Sequence, residues 1–402
     1  MDQVAMRRAI EQKRDGEPLE AAVWEEIVAA YSSGVVDDAQ MAALAMACVW
    51  RGLDGTEASA LTRAMVGSGE TLRFPDGMFV VDKHSSGGVS DIVSLVAVPV
   101  VAACGVRVAK LSGRALGHTG GTIDKLEALD GFTATLSTQA FVAQVERIGC
   151  AIAAQSDAFV PADKRLYRLR DHTATVPSIG LIAASIVSKK IAGGADAIVY
   201  DVKCGAAAFM RDVEAAHALA RLLVHISEQF GRKARAIVTD MNEPLGCCIG
   251  TGIEVVEARE VLRGREADER VRAGCVRIAA AMLELGGVRN AHERALAALE
   301  DGSGYEKFVA MIEAQGSTRA ALEQLAPDAN VEETRAPRGG TITAIDAVKL
   351  GHIARTLTDR DRTAGIRVNV RIGDTIGRGE ALASIYGDGT DAATVADAFT
   401  LV

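Results

Sequence analysis

The residues able to do chemistry in this chain gather in two glycine-rich stretches and one pair of helical segments. The first stretch reads Asp82-Lys83-His84-Ser85-Ser86-Gly87-Gly88-Val89-Ser90-Asp91. A short apolar run, 78–81, precedes it, and a predicted apolar helix, 91–104, follows it. Backbone N–H groups at a helix start have no intrahelical partner and lie beside the positive end of the helix dipole. Glycines let that backbone come close to a ligand. Lys83 adds a positive charge, and Ser85 and Ser86 add hydroxyls. Together these make a phosphate cradle. The pattern is neither a P-loop nor G-x-G-x-x-G, so it does not imply nucleoside triphosphates or dinucleotides. The alternative is a tight turn whose lysine faces solvent.

The second stretch runs Lys110-Leu111-Ser112-Gly113-Arg114-Ala115-Leu116-Gly117-His118-Thr119-Gly120-Gly121-Thr122-Ile123-Asp124-Lys125-Leu126-Glu127, after another apolar run, 106–110. Ser112 and Thr122 are placed to close on the same anion from the opposite side. Both stretches would lie at the carboxyl ends of neighbouring strands, where open α/β sheets bind ligands. Arg114 and His118 read as hydrogen-bonding groups within the loop rather than as catalysts. Further on, Ser185 and Lys189 stand four apart and share a helix face, whereas Lys190 points elsewhere, into solvent. Arg170 follows Tyr167 by three residues. Arg170, Ser185 and Lys189 are all donors, suited to the carbonyl oxygens of a planar heterocycle. Taken alone, such a helix face is ordinarily just solvated.

Three kinds of segment must position these residues. Residues 1–66 read as helices alone, with Asp37 or Asp38 capping the run 39–49 and Asp54-Gly55-Thr56-Glu57 opening another. From about residue 78, strand-like runs at 78–81, 106–110, 150–154, 197–202 and 234–239 alternate with helical patterns at 139–148, 179–192 and 213–230. That alternation means an α/β sheet, largely parallel. A helical stretch, 162–192, interrupts it and is expected to join the N-terminal helices. The expected organisation is a helical lobe (1–66 and 162–192), a larger α/β lobe with a mixed or parallel sheet (67–161 and 193–331), and a small C-terminal α+β subdomain (332–402). In the last, 341–345, 366–370 and 381–386 look like strands. The turn-rich segment 372–380 resembles part of a biotinyl-lipoyl-like domain, but no lysine follows Lys349, so it reads as scaffold rather than swinging arm.

Composition narrows the class. At 402 residues the chain is long for one small domain. Aromatics are only 4%, so the core must rest on Ala, Val, Leu and Ile. A net charge of −9 argues against a general nucleic-acid binder, though not against a local pocket for small anions. The longest apolar stretch, 92–104, is short of the ~20 residues that span a bilayer, and the N-terminus lacks the apolar core of a signal peptide. A cytoplasmic protein bound to neither membrane nor nucleic acid is expected. The seven cysteines include no Cys-x-x-Cys pair, which disfavours a disulfide framework or a zinc ribbon. Adjacent Cys247 and Cys248 read as small buried residues rather than a redox pair.

Residues 112–127 resemble the long signature of the thymidine and pyrimidine-nucleoside phosphorylases. The resemblance continues through 83–89, 161–164, 170–176, 201–203 and 240–246; it covers residues 1 to about 285 well and the rest loosely. It implies phosphorolysis, in which a pyrimidine nucleoside and phosphate give free base and α-pentose 1-phosphate, with uridine, thymidine and deoxyuridine as candidate substrates. It also implies two lobes closing over a cleft, a homodimer formed through the helical lobe, and no redox or organic cofactor. By motif position, Lys83, Ser85, Ser94, Ser112 and Thr122 would bind phosphate. Arg170, Ser185 and Lys189 would bind the pyrimidine, His84 would donate near a base carbonyl, and Tyr167 and Leu116 would line the base and sugar site. Lys110 resembles the lysine of the broad-specificity enzymes, where strict thymidine phosphorylases carry an apolar residue. Those broad enzymes bind a monovalent cation, potassium. The positions here would be Ser90, Ile92, Leu245 and Cys248, mostly through carbonyls, and Glu257 through its carboxylate.

The chain departs from the family pattern at Ser86, usually threonine, and at Ser90, usually glycine. It also departs in the alanine-rich run 204–209 and in a shortened C-terminal region. The competing readings are a strict thymidine phosphorylase, a nucleoside-monophosphate phosphorylase, for which no extra basic loop is present, a magnesium-dependent phosphoribosyltransferase using Asp91 and Asp124, and a non-catalytic binding homologue.

Overall fold

The computed structural model describes residues 1–114, 120–265 and 268–402. The chain forms two compact units, one comprising 1–84, 155–200 and 214–236, the other 85–154, 201–213 and 237–402.

The first unit begins with four helices, Gln3–Asp15, Ala21–Ser32, Asp38–Arg51 and Gly55–Val66. Acidic side chains cap the first, third and fourth of these. Asp2 accepts from Ala5 N at 2.8 Å and Asp37 from Gln40 N at 2.8 Å, while Asp54 and Glu57 form a reciprocal capping box. The Glu57 carboxylate also pairs with Lys13 Nζ at 2.5 Å, tying the fourth helix to the first inside the core. Trp24, Tyr31, Leu44 and Leu61 fill that core. The helical stretch expected at 162–192 is two helices, Pro161–His172 and Ile179–Ala192. Ala174, at φ +54°, and Pro177 break it. At Gly180 a Cβ would lie 2.6 Å from Leu53 Cβ, so only glycine permits this approach.

Five strands, β1 (Val80–Ser85), β2 (Arg107–Ser112), β3 (Cys150–Ala154), β4 (Ala197–Cys204) and β5 (Lys233–Asp240), form one sheet in the order β3-β2-β1-β4-β5. β2 and β3 pair in parallel from Val108↔Cys150 to Ser112↔Ala154. The strand order reverses between β1 and β4, the switch point at which such sheets open a crevice. β1 starts later and runs further than its apolar residues suggest, so Lys83, His84 and Ser85 lie on the strand itself. All eight residues of β4 are buried, Asp201 and Lys203 included.

In the second unit the helix Val93–Ala103 is buried from Val93 to Ala102 and packs against Glu269–Leu285 and Ser303–Ala314. Its apolar residues surround it on every side, which is what a helix at the centre of a core requires. A short strand, β6 (Cys248–Gly250), precedes the helix Gly252–Leu262. The C-terminal residues add β7 (Val331–Arg335), β8 (Gly340–Ile345), β9 (Gly365–Val368), β10 (Thr375–Ile376), β11 (Ala381–Tyr386) and β12 (Phe399–Leu401). They form two small sheets, β6-β9-β11-β7 and β10-β8-β12. β6 therefore belongs to the C-terminal sheet, with Cys248 opposite Arg367 and Gly250 opposite Gly365. Among the described residues no helix is long and apolar enough to cross a membrane.

Candidate functional site

In the first unit the helices Pro161–His172 and Ile179–Ala192 bring Tyr167, Arg170, Ser185 and Lys189 together. Lys189 Nζ donates to Ser185 Oγ at 2.7 Å and to the Ser185 carbonyl at 3.0 Å, as a spacing of four allows. The same ammonium pairs with Asp163, a buried carboxylate. The Tyr167 ring lies 5.8 Å from the Arg170 guanidinium carbon and 6.0 Å from Lys189 Nζ. Arg170 is fully buried rather than solvated. It donates to the carbonyls of Thr175, Leu181 and Val176, at 3.3, 3.2 and 2.7 Å. Two of its five N–H groups remain available. Burial lowers its pKa, with Asp163 opposing that shift. The cluster is an aromatic face flanked by two fixed cations and a hydroxyl that still has its own proton to donate.

Lys190, expected in solvent, is instead buried and pairs with Asp82 of β1 at 2.7 Å. The Ile179–Ala192 helix is buried over most of its surface, and Lys190 lies on the enclosed side, away from partly exposed Lys189. Asp82 Oδ1 also accepts from Lys83 N at 2.6 Å. Lys83 is buried at the carboxyl-terminal half of β1, and His84 and Ser85 are half-buried at its end.

In the second unit the first glycine loop is clamped at Ser86. Its N–H donates to the Asp201 carbonyl at 3.0 Å, and its Oγ accepts from Lys203 N at 2.8 Å. The Ser86 hydroxyl oxygen thus serves β4, a role the usual threonine would also fill. Close packing explains the next glycine, since a Cβ on Gly88 would lie 2.3 Å from Met241 Cε. Ser94 is buried in the first turn of the Val93–Ala103 helix. Ser112 ends β2, and Thr122 opens the helix Thr122–Leu126. Lys110 is buried on β2, in register with Ile152 of β3. Arg114 is exposed and pairs with Glu127 and Asp124, the loop-bracing role expected of it. Leu116 and His118 lie outside the described residues. A cavity of about 460 Å³ is bordered by Val89 and Ser90, by Gly120 and Asp124, and by Arg355 and Arg362, but Lys83, Ser85, Ser94, Ser112 and Thr122 do not line it.

Behind the loops lie Lys125, Asp201 and Lys203, which the motifs include without a role, together with Asp91, weighed only as a magnesium ligand, and Glu254, which no motif includes. Lys203 Nζ is 2.7 Å from Asp201 and 3.8 Å from Asp91, and Lys125 Nζ is 2.5 Å from Glu254. Burial works against the Lys203 ammonium, but the Asp201 and Asp91 carboxylates outweigh it and hold its pKa above the ordinary lysine value. Burial pushes the Glu254 carboxyl upward, against the pull of Lys125. Asp201 and Lys203, two apart inside an apolar strand, were the available signal, since a buried charge needs a partner.

The expected cation set comes together in part. Ser90 stands at φ +59°, a conformation that favours glycine, and its hydroxyl donates to the Cys248 carbonyl at 2.5 Å. Glu257 accepts from Cys247 N at 2.7 Å and Cys248 N at 3.1 Å. Burial pushes its carboxyl up to about 7, against the pull of those two N–H groups and of the Arg371 charge. A Cβ on Gly246 would meet both Ser90 Oγ and Glu257 Oε2 within 2.5 Å, which places those two oxygens beside one backbone position. The Leu245 carbonyl takes Arg371 at 3.3 Å, and the Ile92 carbonyl is used by Leu95 N and Val96 N in the helix that follows. Burial raises the Cys247 and Cys248 thiols, the behaviour of inert cysteines.

This combination of a helical unit and an α/β site is that of a glycosyl transferase family. Residues 78–305 match its a/b domain and residues 7–69 its helical bundle domain. Over 394 residues the chain is 43% identical to the pyrimidine-nucleoside phosphorylase of Geobacillus stearothermophilus, covering 94% of this chain and 90% of that one. Over 387 residues it is 45% identical to the thymidine phosphorylase of Mycobacterium tuberculosis (strain ATCC 25618 / H37Rv), covering 94% and 89%. It therefore belongs, within that family, to the pyrimidine-nucleoside and thymidine phosphorylases. The solved anthranilate phosphoribosyltransferase of Thermus thermophilus shares the fold, with a TM-score of 0.61 at 22% identity over 76% of this chain and 99% of that one.

The buried Asp82–Lys190 pair yields a stability prediction. Lys190→Met strands a buried carboxylate and is expected to cost about 3–5 kcal/mol in urea unfolding. Adding Asp82→Leu should recover most of that loss. A double variant no more stable than the single one would mean that the pair is not what the helix requires.

Proposed function

We propose that this chain catalyses the phosphorolysis of pyrimidine nucleosides, releasing free base and an α-pentose 1-phosphate. The observation that carries this reading is the donor cluster of Arg170, Ser185 and Lys189 around Tyr167, held in place by Asp163. Breaking the glycosidic bond leaves its electron pair on the pyrimidine nitrogen, delocalised onto the carbonyl oxygens, and makes the anomeric carbon electron-poor. Lys189 and Arg170 stabilise the leaving base, Ser185 fixes its orientation, and His84 donates to a carbonyl oxygen. Lys83, Ser85, Ser94, Ser112 and Thr122 hold phosphate, one of whose oxygens bonds to the anomeric carbon from the opposite face and inverts it. Fixed donors aimed at developing charge, with the nucleophile held in line, supply the rate enhancement without a covalent enzyme intermediate.

Base release from uridine, thymidine and deoxyuridine, with and without inorganic phosphate, tests this reading. Release should require phosphate. Lys189→Ala should lower kcat/KM by about 100-fold or more, on the scale of removing one charge-stabilising donor, with the circular dichroism spectrum unchanged. Near-wild-type turnover in that variant would remove Lys189 from the site.

Lys110 favours the broader substrate range, with uridine accepted beside thymidine and deoxyuridine. Lys110→Met should lower the uridine-to-thymidine rate ratio, and an unchanged ratio would leave Lys110 a structural residue.

The Ser90 hydroxyl, the Cys248 carbonyl and the Glu257 carboxylate are oxygen donors suited to a monovalent cation, and Ser90 Oγ and Glu257 Oε2 lie beside one backbone position. When bound, potassium would neutralise that carboxylate at the base of the first loop. Potassium, compared with tetramethylammonium at equal ionic strength, should raise Tm in the wild type and not in Glu257→Gln; equal shifts in both would place the cation elsewhere. The assembly proposed is a homodimer formed through the N-terminal helices, where Val4, Val35, Met46 and Trp50 are exposed and Trp50 is 80% accessible.

A further inference from the structure

Five ionisable groups form a chain of alternating charge behind the two glycine loops, in the order Asp201, Lys203, Asp91, Lys125, Glu254. Thr239 Oγ1 donates to Asp201 Oδ1 at 2.6 Å, and Lys203 Nζ lies 2.7 Å from Asp201 Oδ2 and 3.8 Å from Asp91 Oδ2. The other Asp91 oxygen accepts from Val93 N at 3.1 Å, capping the helix that carries Ser94. The Asp91 backbone carbonyl accepts from Lys125 Nζ at 3.0 Å. Lys125 then pairs with Glu254 at 2.5 Å, and Glu254 Oε1 accepts from Gly250 N at 3.1 Å. Apart from Asp91, at 9% side-chain exposure, each ionisable group is at most 2% exposed.

The connectivity matters more than the charge count. Lys203 belongs to β4, and its backbone N–H and that of Ser86 clamp the start of the first loop. Asp91 ends that loop. Lys125 lies three residues after Thr122, in the helix that closes the second loop. Its ammonium is therefore a direct bond between the helix of the second loop and the backbone of the first. Gly120 of the second loop packs against the same lysine, since a Cβ there would lie 3.4 Å from Lys125 Cε and 3.2 Å from the Gly250 carbonyl. Buried ion pairs are poor sources of net stability, because apolar residues of equal volume do as well. What they provide is a fixed register between the elements they join.

We infer that Lys125 is a positioning residue for phosphate, holding the donors of the second loop at a set separation from those of the first, with Lys203 anchoring the first loop on β4. This rests on the reading of the two loops as the phosphate site. Phosphate is bound mainly by groups whose spacing must match its oxygens, so a slip between the loops weakens phosphate binding without touching the base cluster, which is built on other helices.

The test uses Lys125→Met, Lys125→Arg and the double variant Lys125→Met/Glu254→Leu, with initial rates at varied phosphate and nucleoside and calorimetric titration with inorganic phosphate. In Lys125→Met the KM and Kd for phosphate should rise at least tenfold, with the nucleoside KM within about twofold of wild type. Lys125→Arg, which can reach the same carbonyl, should recover part of the loss. The double variant removes the stranded carboxylate and should restore Tm while the phosphate defect persists. That result separates register from stability, and the double variant also serves should the single one fold poorly. Recovery of phosphate affinity together with Tm, or an equal rise in both KM values, would overturn the inference while leaving the phosphorylase reading intact. A wild type whose base release ignores phosphate, and which does not bind it, would overturn both.

Discussion

Lys13, Lys83, Lys110, Lys125, Lys190 and Lys203 are all buried in this protein. An unpaired buried ammonium is so costly that each must be answered by an acceptor brought from elsewhere in the chain. Four of the answers are carboxylates: Glu57 for Lys13, Glu254 for Lys125, Asp82 for Lys190 and Asp201 for Lys203. Of these pairs only the last is local. The other three join residues 44, 129 and 108 positions apart. Apolar burial drives collapse but is indifferent to small shifts of one element along another. A buried ion pair is not, because half a turn of slip leaves a charge stranded. In the first unit Lys190 and Asp82 fix the Lys83-bearing strand, and in the second Lys125 and Lys203 bracket the first loop.

The scarcity of aromatic residues has a packing consequence. Alanine, valine and glycine fill much of the interior, so backbones approach closely, and several glycines are required by contact rather than by dihedral angle. Gly180 against Leu53 and Gly88 against Met241 are such cases. A densely packed interior of small side chains also offers few rotamers, which suits a site whose catalytic contribution is fixed charge.

Much of this architecture was legible in the chain itself. The helix Ile179–Ala192 and the strands β3 and β11 fall where periodicity puts them, and the caps at Asp37 and Asp54 were readable from residue type and spacing. β1 was harder. Its apolar residues suggested an end at 81, but Asp82, Lys83 and His84 continue it because Asp82 and Lys83 are buried and paired. Periodicity therefore stopped where chemistry began. Lys190 was misplaced for the same reason, since a lysine beside another lysine looks solvated until its distant carboxylate is known. β6, β10 and β12, at two or three residues, are too short to announce themselves in the sequence. The donor cluster around Tyr167 was reached by resemblance rather than by pattern. Asp163, which orients Lys189, had no local sign beyond its place in a motif.

One of the short strands that were missed carries a disproportionate role. β6 hydrogen-bonds into the C-terminal sheet, and the Cys248 carbonyl at its start receives the Ser90 hydroxyl from the first loop. The C-terminal region is thus not an appendage that could be trimmed or exchanged as a cassette. Its antiparallel ladder finishes the hydrogen bonding of a segment that touches the loop, so a shift of β9 against β6 would move the carbonyl that Ser90 holds. For this lineage that makes the C-terminal sheet a constraint on drift. Its surface can vary freely, while the spacing that keeps Ile366 opposite Ile249 is tied to the loop's shape.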